Sequence, residues 1–181
     1  MIRYIAFLRA INVSGQKLIK MERLREIFAI PGIKNISTFI QSGNVIFDAK
    51  ETDAAKLTAK IEKQLAKQLG YEVEVFLRTT GELEQVIKNN PFPGAKLGKD
   101  LALYIVFLTH EPGNDEKKMI AGLSNEVDNL RIIGRELYAL IKKDGAKSLF
   151  SNMLVERKLK QLSTSRNQTT VNKILELARQ E

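Results

Sequence analysis

The order in which apolar patterns follow one another constrains this chain more than any other feature. Residues 2–8, Ile-Arg-Tyr-Ile-Ala-Phe-Leu, read as a largely buried strand. Met21, Leu24, Ile27 and Phe28 then share one face of a helix near 20–30, which Pro31-Gly32 stops. Residues 36–41 and 45–47 are strand-like and flank Ser42-Gly43-Asn44, a hairpin signal. Thr52 can cap a second helix that presents Leu57, Ile61, Leu65 and Leu69 at four-residue spacing, with Gly70 in the place where helices end. Residues 72–77 close the series as a strand. Strand, helix, strand, strand, helix, strand is the split βαβ order of a ferredoxin-like fold, here assigned to residues 1–78.

The second half nearly repeats it. A short helix near 80–89 and Asn90-Pro91-Phe92-Pro93 connect the halves over 79–99. Residues 101–108 form an apolar strand, and 115–126 a helix with Met119, Ile120 and Leu123 facing inward. Residues 130–133 and 136–141 form a hairpin around Gly134-Arg135, and Ser148 caps a helix carrying Leu149, Phe150, Met153 and Leu154. No apolar alternation marks a last strand, so the second subdomain, 100–160, is read as lacking it. Residues 161–181 are read as a polar loop and a closing helix with Val171, Ile174, Leu175 and Ala178 on one face. The expected fold class is α+β: two ferredoxin-like subdomains plus a C-terminal helix. The duplication is visible as element order, with no residue-level repeat recognised.

Three polar stretches sit at the ends of these elements: Arg9-Ala10-Ile11-Asn12-Val13-Ser14-Gly15, Gln41-Ser42-Gly43-Asn44, and Thr164-Ser165-Arg166-Asn167. They supply hydrogen bonds and positive charge but no evident acid, base or nucleophile. Arg9 can fork a phosphate or carboxylate, with Asn12, Gln41, Ser42 and Asn44 as orienting groups. The same residues equally suit loop construction, since Asn and Gly accept left-handed backbone and Asn caps turns. Arg166 and Asn167 precede a helix whose N-terminus can receive an anion, or Thr169 caps that helix and Arg166 pairs with an acid. The two inner strands are expected to run the same way, which leaves the first loop and the hairpin unplaced relative to each other.

These residues and motifs resemble one family. Leu8 to Gly15, Gln41-Ser42-Gly43-Asn44-Val45-Ile46-Phe47, Asn90-Pro91-Phe92 and Thr164 to Asn167 are similar to the LRGINVGG, QSGNVVF and TxRNWNTV motifs of the bacterial family filed as domain of unknown function 1697. The resemblance implies two ferredoxin-like subdomains and no established activity. Ala10 and Ser14 stand where that family has glycine, so the first loop has less freedom. Gln168 and Thr169 stand in place of its Trp-Asn.

Charge narrows the partners. The chain of 181 residues carries a formal net charge of +8, and residues 142–166 hold seven basic side chains against only Asp144 and Glu156. Such a region favours phosphate-rich partners through counterion release, or serves as a solvated face. Lys56, Lys60, Lys63 and Lys67 recur on the face opposite Leu57 and read as solvated. With no cysteine and the single His110, no transition-metal site can be assembled, and no cofactor is expected. Lys147-Ser148 after Gly145 lacks the spacing of a phosphate loop. Tyr4, Phe7, Phe39, Phe47, Tyr104 and Phe107 fall on strands, where RNA-recognition domains stack bases; core packing is the better reading, because the basic-Gly-aromatic run is absent. No apolar run approaches the ~20 residues that span a bilayer, and the chain opens straight into a strand, so a cytoplasmic protein is expected.

The function expected from these features is binding of a phosphate-bearing ligand, foremost nucleic acid, through the Arg/Asn/Ser loops and the basic C-terminal segment. The alternatives are an enzyme acting on a small anionic substrate and a structural or partner-binding protein. A deep pocket around Arg9, Asn12 and Arg166 would favour the enzyme; an open basic groove would favour nucleic acid.

Overall fold

The computed structural model describes residues 1–180 except Ser14, Gln16 and Ala146. The chain divides into two compact units, Met1–Glu84 with the residues from Ile174 on, and Gln85–Lys173. The first contains β1 (Ile2–Leu8), α1 (Met21–Phe28), β2 (Ile33–Thr38), β3 (Asn44–Ala49), α2 (Ala54–Leu69) and β4 (Val75–Thr79). The second contains β5 (Leu101–Leu108), α4 (Asn114–Ala121), β6 (Asp128–Ile133), β7 (Glu136–Lys142), α5 (Asn152–Leu159) and β8 (Ser163–Asn167). The division falls within α3 (Thr80–Lys88) and α6 (Gln168–Gln180), the helices that directly follow β4 and β8.

Each unit holds a four-stranded antiparallel sheet, ordered β2-β3-β1-β4 in the first and β6-β7-β5-β8 in the second. This is the ferredoxin-like order in both halves. In the first unit, α1 contributes Leu24, Ile27 and Phe28, and α2 contributes Leu57, Ile61 and Leu65. They pack on the alternate residues Tyr4, Ala6 and Leu8 of β1 and Val45 and Phe47 of β3. Burying each large apolar side chain is worth roughly 1.5–3 kcal/mol, so this layer holds the helices to the sheet. Ile5 and Phe7, on the opposite face of β1, are buried as well. The second unit repeats the layer with Val106, Leu108, Leu137, Ala139 and Ile141 against Ile120, Val155 and Leu159.

The two halves also correspond residue by residue. Tyr4-Ile5-Ala6-Phe7-Leu8 and Tyr104-Ile105-Val106-Phe107-Leu108 occupy the same sheet positions. Ile5 lies opposite Arg78, and Ile105 lies opposite Arg166. A five-residue repeat is therefore present, contrary to the expectation that only element order repeats.

Several expectations need correction. The second unit does not lack its last strand: β8 pairs with β5 along its whole length, from Tyr104 opposite Asn167 to Leu108 opposite Ser163. Its sequence, Ser-Thr-Ser-Arg-Asn, carries no apolar alternation, yet Ser163, Thr164 and Arg166 are buried. The inner strands β1 and β3 run in opposite directions, not the same one. Asp53 rather than Thr52 caps α2, its carboxylate accepting from the amides of Ala55 and Lys56. Those two donors hold its carboxyl below the usual range. Ser151 rather than Ser148 caps α5, accepting from the Leu154 amide, so the helix begins later and Leu149 and Met153 are exposed. Met119 is exposed too, whereas Ile120 is buried as expected. Val171, Ile174, Leu175 and Ala178 of α6 are all buried.

Because β8 is a hydrogen-bonded strand, its amides directed at β5 should exchange with solvent as slowly as the β4 amides directed at β1. Hydrogen exchange read by mass spectrometry or NMR checks this. Rapid exchange throughout 163–167 would show that the polar segment is a loop after all.

Candidate functional site

Since β1 runs against both β3 and β4, its C-terminal end lies beside the start of each. The Leu8 amide donates to the Gly43 carbonyl at 2.8 Å, and the Arg9 amide to that of Glu74 at 3.0 Å. The structure thus brings Arg9, Asn12, Gln41, Ser42 and Asn44 to one end of the first sheet. Asn12 ties the loop together: its Oδ1 accepts from the Ile19 amide (2.8 Å), and its Nδ2 donates to the carbonyls of Ile19 (3.1 Å) and Gln41 (2.8 Å). Asn44 is fully buried and donates to the Phe39 carbonyl (3.1 Å) and to Ser42 Oγ (2.8 Å). These side chains spend their hydrogen bonds on the two loops. Arg9, half-buried, approaches the Glu74 carboxylate to 3.6 Å, and Gln41 is exposed.

Left-handed backbone concentrates here, at Ala10 (φ 55°), Asn12 (φ 54°), Ile40 (φ 50°) and Gly43 (φ 71°). For a residue with a Cβ this conformation costs roughly 1–2 kcal/mol. Ala10 bears that cost at a position where the resembled motif has glycine. Ser14, the other such position, lies outside the described residues.

Arg166 and Asn167 belong to the second unit. Arg166 lies on β8 and is buried, its guanidinium donating to Thr164 Oγ1 (2.9 Å) and to the Ser165 carbonyl (2.8 Å). Burial lowers its pKa to about 10, which still leaves a cation at neutral pH. Its counterpart Arg78 is also buried and donates to the Leu77 carbonyl. Asn167 accepts from the Thr169 amide at 2.9 Å and so caps the start of α6.

A second feature went unread in the sequence. A solvent-open groove of about 480 Å³ runs beside the β7–α5 junction. Its formation begins with Asp128, whose Oδ2 accepts from the amides of Leu149 (2.8 Å) and Phe150 (3.2 Å). The pinned segment lays the Phe150 ring on Tyr104, with centroids 6.2 Å apart. Lys143 Nζ stands 5.7 Å from the centre of the Tyr104 ring, and Lys142, Ser148 and Ser151 complete the rim. Asn152 donates to Ser165 Oγ at 3.2 Å, while its own Oδ1 is buried without a hydrogen bond. Tyr104 was expected in the core; it is only half-buried. The available signal was Phe150 set among serines within the basic stretch.

The corresponding junction of the first unit has the opposite character. Tyr4 is buried against Phe47 and donates to the Glu51 carbonyl at 3.1 Å. Burial raises its pKa, and the charges of Glu82, Glu51 and Asp53 raise it further. The first unit's own surface groove, about 340 Å³, is lined by Glu62, Glu72 and Glu74 with Lys63. Glu62 titrates above the usual range because it is partly buried, although the Val75 amide donates to it at 2.9 Å. Both surroundings repel a phosphate.

Comparison with known proteins follows the same lines. Residues 1–138 match the model of a family described as "Protein of unknown function (DUF1697)". That match ends before most of the groove-forming segment and before Thr164 to Asn167. Among solved structures, the conserved bacterial protein SP0830 from Streptococcus pneumoniae superposes with a TM-score of 0.69 at 22% identity, covering 99% of each chain. At that identity the likeness shows the fold. No protein with a curated description matches the chain.

The strained end of the first sheet can be tested by exchanging its small residues. A Cβ on Gly43 would stand 3.0 Å from Leu8 Cβ and 3.2 Å from Ile11 Cβ, in left-handed backbone. Gly43→Ala should therefore cost about 2 kcal/mol or more in denaturant unfolding. Ala10→Gly should be neutral or stabilising by up to about 1 kcal/mol, because relief of the left-handed backbone exceeds the added unfolded-state entropy. A clear loss of stability in Ala10→Gly would show that the methyl group packs.

Proposed function

We propose that this chain, which belongs to the DUF1697 family of proteins of unknown function, binds a phosphate-bearing ligand, foremost nucleic acid, through the basic face of its second unit. One observation carries the reading. Lys142, Lys143, Lys147, Arg157, Lys158 and Lys160 are exposed, and none forms an ion pair among the described residues. Of the two acids amid them, Asp144 is exposed and forms no ion pair among the described residues, and Glu156 directs its carboxylate to the Ser163 amide and hydroxyl. Exposed cations without ion-pair partners attract polyanions and gain from the counterions released on contact. The adjoining groove is open, which suits a strand passing along it better than a substrate enclosed within it.

The Arg9–Asn44 cluster enters this reading as scaffold, because Asn12, Ser42 and Asn44 bond to their own loops. An enzyme of small anions would need those groups turned toward a ligand. Among the described residues no helix is long and apolar enough to cross a membrane, and a cytoplasmic location, where nucleic acid is at hand, belongs to the same proposal.

Fluorescence anisotropy with a labelled oligonucleotide over a range of salt concentrations tests the reading. Affinity should fall linearly with salt on logarithmic axes. Replacing both Lys142 and Lys143 by Ala should reduce that slope by about 1.4, at roughly 0.7 per lost single-strand phosphate contact. Binding that is undetectable at low ionic strength, or insensitive to salt, would overturn it.

A further inference from the structure

Resting on that reading, we infer that the second-unit groove receives an unpaired base of single-stranded nucleic acid, with the neighbouring phosphates held by Lys142 and Lys143. Lysines alone would bind any polyanion. What distinguishes this groove is the half-buried aromatic pair beneath them, Tyr104 and Phe150 at 6.2 Å. A phosphate has no use for such a surface, whereas every base offers a flat π-face to it.

Lys143 gives the exchange a mechanism. Its ammonium now stands over the Tyr104 ring at 5.7 Å, a cation–π contact that a flexible stem can leave. A base sliding onto the ring takes that place, and the displaced ammonium moves to the phosphate beside it. The positive charge is kept and the stack is added.

Asn152 supplies the polar contact. Its amide is anchored on one side by Ser165 Oγ, while Oδ1 is buried and lacks a hydrogen bond. A donor on the edge of an inserted base would satisfy it once the Asn152 side chain turns toward the groove, whereas bases stacked within a duplex do not enter the groove to reach it. The equivalent junction of the first unit offers none of this, since Tyr4 there is buried and neighboured by Glu51 and Asp53.

Anisotropy on the full chain separates the possibilities. The probes are a labelled single strand, the same sequence as duplex, the same strand with abasic sites, and a free mononucleotide in competition. The intact single strand should bind at least about tenfold more tightly than the duplex or the abasic strand at equal salt. Phe150→Leu should weaken the intact strand about tenfold without changing the salt slope. The chain has no tryptophan, so tyrosine emission is readable. An unlabelled strand should quench it in the unaltered protein, and Tyr104→Phe should abolish that quenching while keeping the affinity. Equal binding of intact and abasic strands, unchanged binding by Phe150→Leu, or a mononucleotide as tight as the strand would overturn the base-binding inference yet leave phosphate recognition standing. Absence of binding to every probe would overturn both.

Discussion

The antiparallel pairing of each central strand with both its neighbours is the constraint on which the rest of this structure depends. Because β3 and β4 both run against β1, the end of β1 meets the start of both, and hydrogen bonds from Leu8 and Arg9 close that end. The same arrangement puts the far ends of β3 and β7 beside the starts of β1 and β5. Helices α2 and α5 follow those ends, so the junctions that become acidic in one unit and basic in the other are topologically equivalent. Neither junction could be moved without reversing a strand, which would turn every side chain of the pleat to other neighbours.

The two units are alike in their frames and unlike at these junctions. Tyr-Ile-X-Phe-Leu is kept on both central strands, where every residue but the half-buried Tyr104 is buried and packing restricts substitution. Buried arginines are kept opposite Ile5 and Ile105. The loops after β3 and β7 are under no such restriction. In the first, Glu51 and Asp53 serve the Tyr4 hydroxyl and the α2 amides. In the second, lysines and serines surround an aromatic pair left open to solvent. A frame that repeats leaves its two copies free to differ where the chain leaves the sheet.

Most of the fold was legible because its elements announce themselves by apolar period. Residues 101–108 were read with their observed bounds, and Gly70 ends α2 with the expected left-handed backbone. The failures have physical reasons. Met119 was read as facing inward but is exposed, as are Leu149 and Met153, because periodicity cannot tell a core face from an apolar face left in solvent. The direction of the inner strands was misassigned, so the meeting of Arg9 and Asn12 with Gln41, Ser42 and Asn44 could not be foreseen from spacing. The groove joins Tyr104 to Phe150 across 46 positions, through a carboxylate at Asp128 that bonds to backbone amides. Nothing in a local pattern reports such a contact.

The missed strand and the missed groove have one cause. β8 must place residues on two faces: Thr164 and Arg166 on one, Ser163 and Ser165 on the other. The second pair faces α5, where Glu156 takes the Ser163 amide and hydroxyl and Asn152 donates to Ser165 Oγ. An apolar residue at 165 would make the strand easier to recognise and would leave the Asn152 Nδ2 without a partner as well as its Oδ1, a cost of about 1–3 kcal/mol for the group newly stranded. The hydrogen-bond ladder to β5 supplies what apolar alternation ordinarily would, and so permits a strand made of serine, threonine, arginine and asparagine. Polarity hid the strand from periodicity, and the same polarity builds the hydrogen-bonding wall of the groove.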